Sequence, residues 1–322
     1  MYDKPYTILQ PICELLDNWH YEEDQGEYQP VYEEFGSILL LVLAFVHRYD
    51  LSSVDLGISS PSSFVSKLIM HGSLSKTAES VSEVENRQLD GWIRGLFDNE
   101  SSGLDDELMS TCPPRDFYLL VPTLFHNIVL ARSHNYLPEE SLKGGLEYLV
   151  EPFLLPALIH GITWLSSHLW ESRGDANAVL QVLSALINNA PSSSTTEAAH
   201  MLNSILNIVA KNLEHSLRWL QRAEPSRQDV EPLLKTLRPN MGWERRGASD
   251  HIELDSWTKS EAPHSNLVMN LRTTIGGLVS WALDPVSKIS RICSYGLSIF
   301  YLSYNYSIAL LPTLKSFWKG LK

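Results

Sequence analysis

Residues 202 to 220 set the terms for the fold. Leu202, Ile205, Leu206, Val209, Leu213, Leu217 and Leu220 recur at steps of three and four, which lines one face of a 3.6-residue helix; a half-buried strand would alternate every second residue. The same period runs through most of the chain and sustained alternation is hard to find, so the predicted class is all-α. Helices are expected at about 7–18, 31–48, 62–70, 79–97, 115–133, 139–150, 152–170, 175–188, 196–221, 227–237 and 265–282. No clean tetratricopeptide or ankyrin period is present, although Pro122 and Pro156 lie in apolar helices 34 residues apart. The expected architecture is an irregular HEAT- or armadillo-like helical stack or a large helical bundle.

The punctuation divides the chain into four stretches. Residues 1–237 form the expected helical body, interrupted by polar connections such as LSSVDLGISSPSS (51–63) and APSSSTTE (190–197); the serine-rich stretch at 190–196 is a candidate for phosphorylation. Ser226 and Asp229 read as a capping box, a hydroxyl and a carboxylate satisfying free amides at a helix start. Residues 238–266 have few aliphatics and mixed charge and are expected to be a polar loop or linker, and 267–285 to be a helix continuing the body. Residues 286–322 form a divergent tail with no acid and five basic residues, uncharged from Ile292 to Leu314.

One apolar run, EYLVEPFLLPAL at 147–158, carries two prolines four residues apart. Proline inside a helix removes a donor and clashes with the preceding turn. The expectation is that one helix ends near Val150 and Pro152 starts the next, with Pro156 just beyond the first turn or kinking it.

Charge separates the first third from the rest. Residues 1–110 hold 20 acids against 6 bases, whereas the remaining 212 residues are balanced, 18 against 19. An acidic third repels a polyanion, so no direct DNA or RNA contact is expected there. Cys13, Cys112 and Cys293 follow no metal or redox spacing and read as buried thiols in a reducing compartment. The first 20 residues lack the basic and long apolar regions of a secretory signal.

The search for chemistry finds no phosphate-binding GxxxxGK[ST] or GxGxxG, no GxSxG nucleophile elbow and no HExxH. The nearest approach to an acetyl-coenzyme A signature, Gln88 to Ile93, lacks its final small residue. His160 and His168 are eight residues apart on one helix, as are His126 and His134, so each pair is separated by about 12 Å along its axis, too far to share a zinc ion. No catalytic residue, cofactor or metal ligand is therefore assigned. Glu22, Glu23, Glu33 and Glu34 read as a solvated acidic face or a contact for a basic partner, with Glu33 and Glu34 expected in the first turn of a helix starting near Pro30. Nine tryptophans offer large contact area in the core or at interfaces.

Four segments carry a resemblance to a known family: EYQPVYEEFGSILLLVLAFVHRYDL (27–51), LDGWIRGLFD (89–98), DDELMSTCPPRDFYLLVPTLF (105–125) and LKGGLEYLVEPFLLPALIHGITWLSSHLWE (142–171). They resemble the fungal subunit 5 of the Mediator complex of RNA polymerase II transcription, with weaker similarity through LRTTIGGLVSWALDP (271–285). The resemblance implies a portion from the carboxy-terminal half of a nuclear, non-enzymatic helical scaffold subunit. Its implied partners are other tail-module subunits and, through them, transcription activators and RNA polymerase II. Expected interfaces are the acidic face at Glu22, Glu23, Glu33 and Glu34 and the constrained helix start at Pro113 and Pro114. Residues 286–322 depart from the family pattern and read as a segment foreign to it or a helix packed on the body; the competing expectation is a membrane-associated helical protein anchored by residues 292–314.

Overall fold

A computed structural model of the chain describes residues 6–20, 27–72, 74–77, 79–98, 103–171, 176–188 and 196–241. Most of the expected linker, the helix at 267–285, Cys293, the tail at 286–322 with its 292–314 anchor, and the serines at 190–195 lie outside these residues.

Each predicted stripe inside the described residues forms a helix: α1 (Tyr6–Asp17), α2 (Gln29–Tyr49), α3 (Phe64–His71), α4 (Glu83–Phe97), α5 (Asp106–Thr111), α6 (Pro114–Ser133), α7 (Glu139–Leu149), α8 (Leu158–Glu171), α9 (Ala176–Asn188), α10 (Thr196–Ala223) and α11 (Val230–Met241). There is no strand among the described residues. The chain is all-α. The six-residue α5 has no counterpart among the expected helices, and α11 continues to Met241, four residues into the stretch expected to be polar linker.

α6 is the hub. It packs on α2, α3 and α4 from one part of the chain and on α8 and α9 from another, while α10 lies along α8 and α11. A solenoid keeps contacts between neighbouring repeats; helices drawn from distant sequence onto one central helix describe a bundle. The apolar stripes of these helices feed a single core, in which Tyr32, Phe35, Trp92, Phe117, Tyr118 and Phe125 are the largest side chains fully withdrawn from water.

Local signals explain the helix starts. Ser82 accepts from the Glu85 N–H and Glu85 accepts from the Ser82 N–H at 2.9 Å, a complete capping box at the head of α4. The box expected at Ser226 and Asp229 is not at a helix head in that register, because α11 begins at Val230 and places Ser226 in the preceding turn. Arg227 instead pairs with Glu224 at 3.1 Å and approaches Asp229 at 3.7 Å, tying the α10–α11 connection together.

The double proline behaves differently from the expectation. Pro152 begins no helix; it lies in a turn, and Pro156 sits in a single 3-10 turn, Leu155–Ala157, ahead of α8. An α-helix through both prolines would leave the Pro152 carbonyl facing a proline nitrogen with no hydrogen. The chain uses tighter bonds instead, from Leu154 N–H to the Glu151 carbonyl at 3.0 Å and from Ala157 N–H to the Leu154 carbonyl at 2.9 Å. The turn packs against α2 and α10 and is buried, so it is a joint inside the bundle.

Among the described residues, Gln29–His47 of α2 is long and apolar enough to cross a bilayer, and 67% of that window is buried inside the protein. Its apolar faces are already covered by α1, α6 and the 3-10 turn, as in a core helix.

Candidate interaction surface

The structure places the sequence-predicted interface residues unequally. Glu22 and Glu23 lie outside the described residues. Glu33 and Glu34 are half-buried on α2, but the helix begins at Gln29, so they fall in its second turn and its first turn holds no acid. The macrodipole therefore does not account for these two carboxylates, contrary to the expectation. Pro113 takes the N-cap position of α6 with ψ 150°, and Pro114 is the buried first residue of the helix.

The two expected patches adjoin. Tyr28 N–H donates to the Asp106 carboxylate at 2.8 Å, and the Tyr32 hydroxyl donates to the Cys112 carbonyl. The first turns of α2 are thus pinned to α5 and to the start of α6. Pro114 is buried at this junction, and Glu33 and Glu34 follow Tyr32 on α2.

The near-signature at Gln88 to Ile93 is occupied by packing. Gln88 donates to the Thr111 carbonyl at 3.0 Å, and a β-carbon at Gly91 would stand 2.7 Å from Leu108. Both residues face α5, the helix that no periodicity announces.

The histidines re-sort across helices. His126 of α6 lies against Trp164 of α8 with ring centroids 5.5 Å apart, and His168 stacks on the same Trp164 at 4.7 Å. His126 therefore meets His168, at 6.3 Å, in place of either same-helix pair. No group of three or more His, Cys, Asp or Glu able to hold a metal ion occurs among the described residues.

His160 is buried with its Nδ1 unpartnered, and burial depresses the imidazole to about 4. The folded pKa lies below the ordinary value of 6.5, so between these values the unfolded chain binds a proton that the folded chain refuses. Stability is expected to fall as pH drops from about 6.5 to about 4, with a loss of roughly 3 kcal/mol from this group alone. His160→Leu should flatten that part of a pH series of urea midpoints; an unchanged slope would remove His160 as its source.

Cys13 and Cys112 are buried free thiols, each pushed up to about 12 by burial, and so are inert as nucleophiles at neutral pH.

The aromatic pair at the α8–α10 end has no signal in the sequence. Trp170 is half-exposed, stacks on Trp219 at 5.1 Å and donates its indole N–H to Ser216 at 2.5 Å. Beside it Leu169, Trp219, Leu220, Ala223 and Glu224 line a shallow cleft of about 190 Å³. The helical period places each tryptophan on a helix, but their meeting across 49 residues of chain is set by the packing of α8 on α10.

Comparison with known proteins supplies what this geometry lacks, a family. The profile of the family described as Mediator complex subunit Med5 matches residues 1–237. The chain is 46% identical over 285 residues to Mediator of RNA polymerase II transcription subunit 5 of Aspergillus fumigatus, covering 88% of this chain and 28% of the relative. Its counterpart in Aspergillus oryzae is 47% identical over 278 residues, covering 86% and 27%, and that in Yarrowia lipolytica 26% identical over 316 residues, covering 86% and 32%. The chain thus spans between a quarter and a third of the length of these relatives. The matched region takes in the expected body and all but the last four residues of its final helix, α11. On a match that covers well over half of its length, the chain belongs to the Mediator complex subunit Med5 family.

Proposed function

We propose that this chain is a non-enzymatic helical scaffold of the Mediator coactivator complex in the nucleus. It docks on other tail-module subunits and through them relays regulatory signals from transcription activators to RNA polymerase II. The observation that carries the reading is the coincidence of the family match, residues 1–237, with one continuous hydrophobic core. Three buried polar side chains, Gln88, Ser166 and Ser216, serve helix contacts, and the buried thiols lie in the apolar core, which supports it. Such a body works by contact, with no bond made or broken.

Two surfaces are proposed to make that contact. One is the acidic face at Glu22, Glu23, Glu33 and Glu34, suited to a basic partner, together with the Pro113–Pro114 start of α6. The other is the Trp170–Trp219 stack at the α8–α10 end, where half-exposed Trp170 offers aromatic contact area to another tail-module subunit.

Affinity purification of the tagged chain from a fungal nuclear extract, with mass spectrometry of the recovered proteins, tests the reading. Recovery of other Mediator subunits is expected; recovery of none of them overturns it. Reversing the four glutamates to lysine should weaken recovery roughly tenfold or more at low salt and less at high salt. Unchanged recovery with an intact fold removes the acidic face from the interface.

A further inference from the structure

Of the seventeen prolines in the chain, one alone follows a serine or threonine: Pro61, after Ser60. The structure presents this dipeptide to solvent. Ser59, Ser60, Pro61 and Ser62 are all exposed, on the turn that leads into α3. That turn is held by a Ser63 N–H bond to the Ser60 carbonyl at 3.2 Å and by a 2.6 Å contact between the Ser60 and Ser62 hydroxyls. The Ser62 N–H also donates to Ser60 Oγ at 3.3 Å, and opening these three bonds frees an extended stretch of the kind a kinase cleft binds. Proline after the acceptor has no N–H to leave unsatisfied there, which makes the dipeptide a recognition element.

Three residues further on, the chain is firmly held. Ser63 caps α3, and the Asp17 carboxylate at the end of α1 accepts from the Ser63 hydroxyl at 3.0 Å and the Phe64 N–H at 2.8 Å. Asp17 thus already occupies the positive end of α3 and joins α1 to it. Arg115 of α6 donates to the Asp17 carbonyl, completing the joint.

We propose that Ser60 is the acceptor of a proline-directed kinase and that its phosphorylation loosens α1 from α3. In the step, Ser60 Oγ forms a bond to the γ-phosphorus of ATP. The bond from that phosphorus to the oxygen bridging to the β-phosphate breaks, and ADP leaves. The hydroxyl proton passes to the kinase's own base. The product carries about −1.5 to −2 charge at neutral pH and three strong acceptors. It competes with Asp17 for the amides at the head of α3, repels its carboxylate and offers Arg115 a stronger partner. All three effects weaken the hold on α1.

The test incubates the full 322-residue chain with a purified mitogen-activated protein kinase and magnesium ATP, maps the phosphate by mass spectrometry and follows amide hydrogen exchange. Phosphate is expected at Ser60, absent from Ser60→Ala and introduced at least tenfold more slowly in Pro61→Ala. The phosphorylated chain should exchange the amides of α1 at least tenfold faster, with α8 and α10 unchanged. Phosphate only at other sites, or equal rates in Pro61→Ala, overturns the acceptor assignment. Unchanged exchange in α1 after stoichiometric modification overturns the coupling to α1.

Discussion

Truncating Trp92 to alanine is expected to cost the body about 3–5 kcal/mol, at the top of the range for a single core side chain. Trp92 projects from α4 with 1% of its surface exposed. Its rings meet Phe117 of α6 at 4.2 Å and Tyr32 of α2 at 5.9 Å, and Tyr32 in turn meets Phe117 at 5.6 Å. The indole is thus the piece on which three helices close, and no neighbour can slide into the space without uncoupling another pair. Domains commonly have only about 5–15 kcal/mol in hand, so the variant loses a large share of the total. Trp92→Phe keeps the aromatic contact and should cost less than half as much. Urea denaturation of both variants by far-ultraviolet circular dichroism decides it; a shift below about 1 kcal/mol for Trp92→Ala would show that α4 is held by other means.

Two neighbouring glycines on α7 should respond to the same substitution with opposite signs. Gly144 is exposed, and a β-carbon there would meet nothing within 4 Å. Gly144→Ala should therefore gain about 0.5–1 kcal/mol from reduced backbone freedom in the unfolded chain. A β-carbon on buried Gly145 would collide with the Phe97 ring and stand 2.6 Å from the Leu96 carbonyl oxygen. The ring can turn, but the carbonyl belongs to the α4 backbone and cannot yield without moving the helix. Gly145→Ala should cost about 1–3 kcal/mol. Equal midpoints for the two variants would mean that α4 and α7 do not approach as closely as the structure shows.

How much of this is legible in the sequence depends on the distance over which each signal acts. The stripe from Leu202 to Leu220 places α10 correctly because a helical face is written in its own residues. α5 is invisible: six residues, DELMST, hold less than two turns and cannot establish a period. The capping motif is equally present at Ser226 and at Ser82 but is real only at Ser82, since a serine three residues before an acid becomes a cap only where the backbone turns into a helix. Glu33 and Glu34 stand one turn later than expected because α2 begins before Pro30. Side-chain meetings across the bundle, His126 with Trp164 and Trp170 with Trp219, leave no trace in a one-dimensional pattern. For the function, the family segments speak where the residues alone do not, since a contact surface needs no fixed spacing of reactive groups.

The position of α6 has a consequence for how the body is made. A ribosome delivers α2, α3 and α4 before α6 exists, and α6 must then wait for α8 and α9 to cover its remaining sides. Roughly the first half of the chain therefore spends its synthesis with apolar faces uncovered, and the core cannot close until after α9 has emerged. During that interval the faces of α6 that α8 and α9 later cover stay open to water.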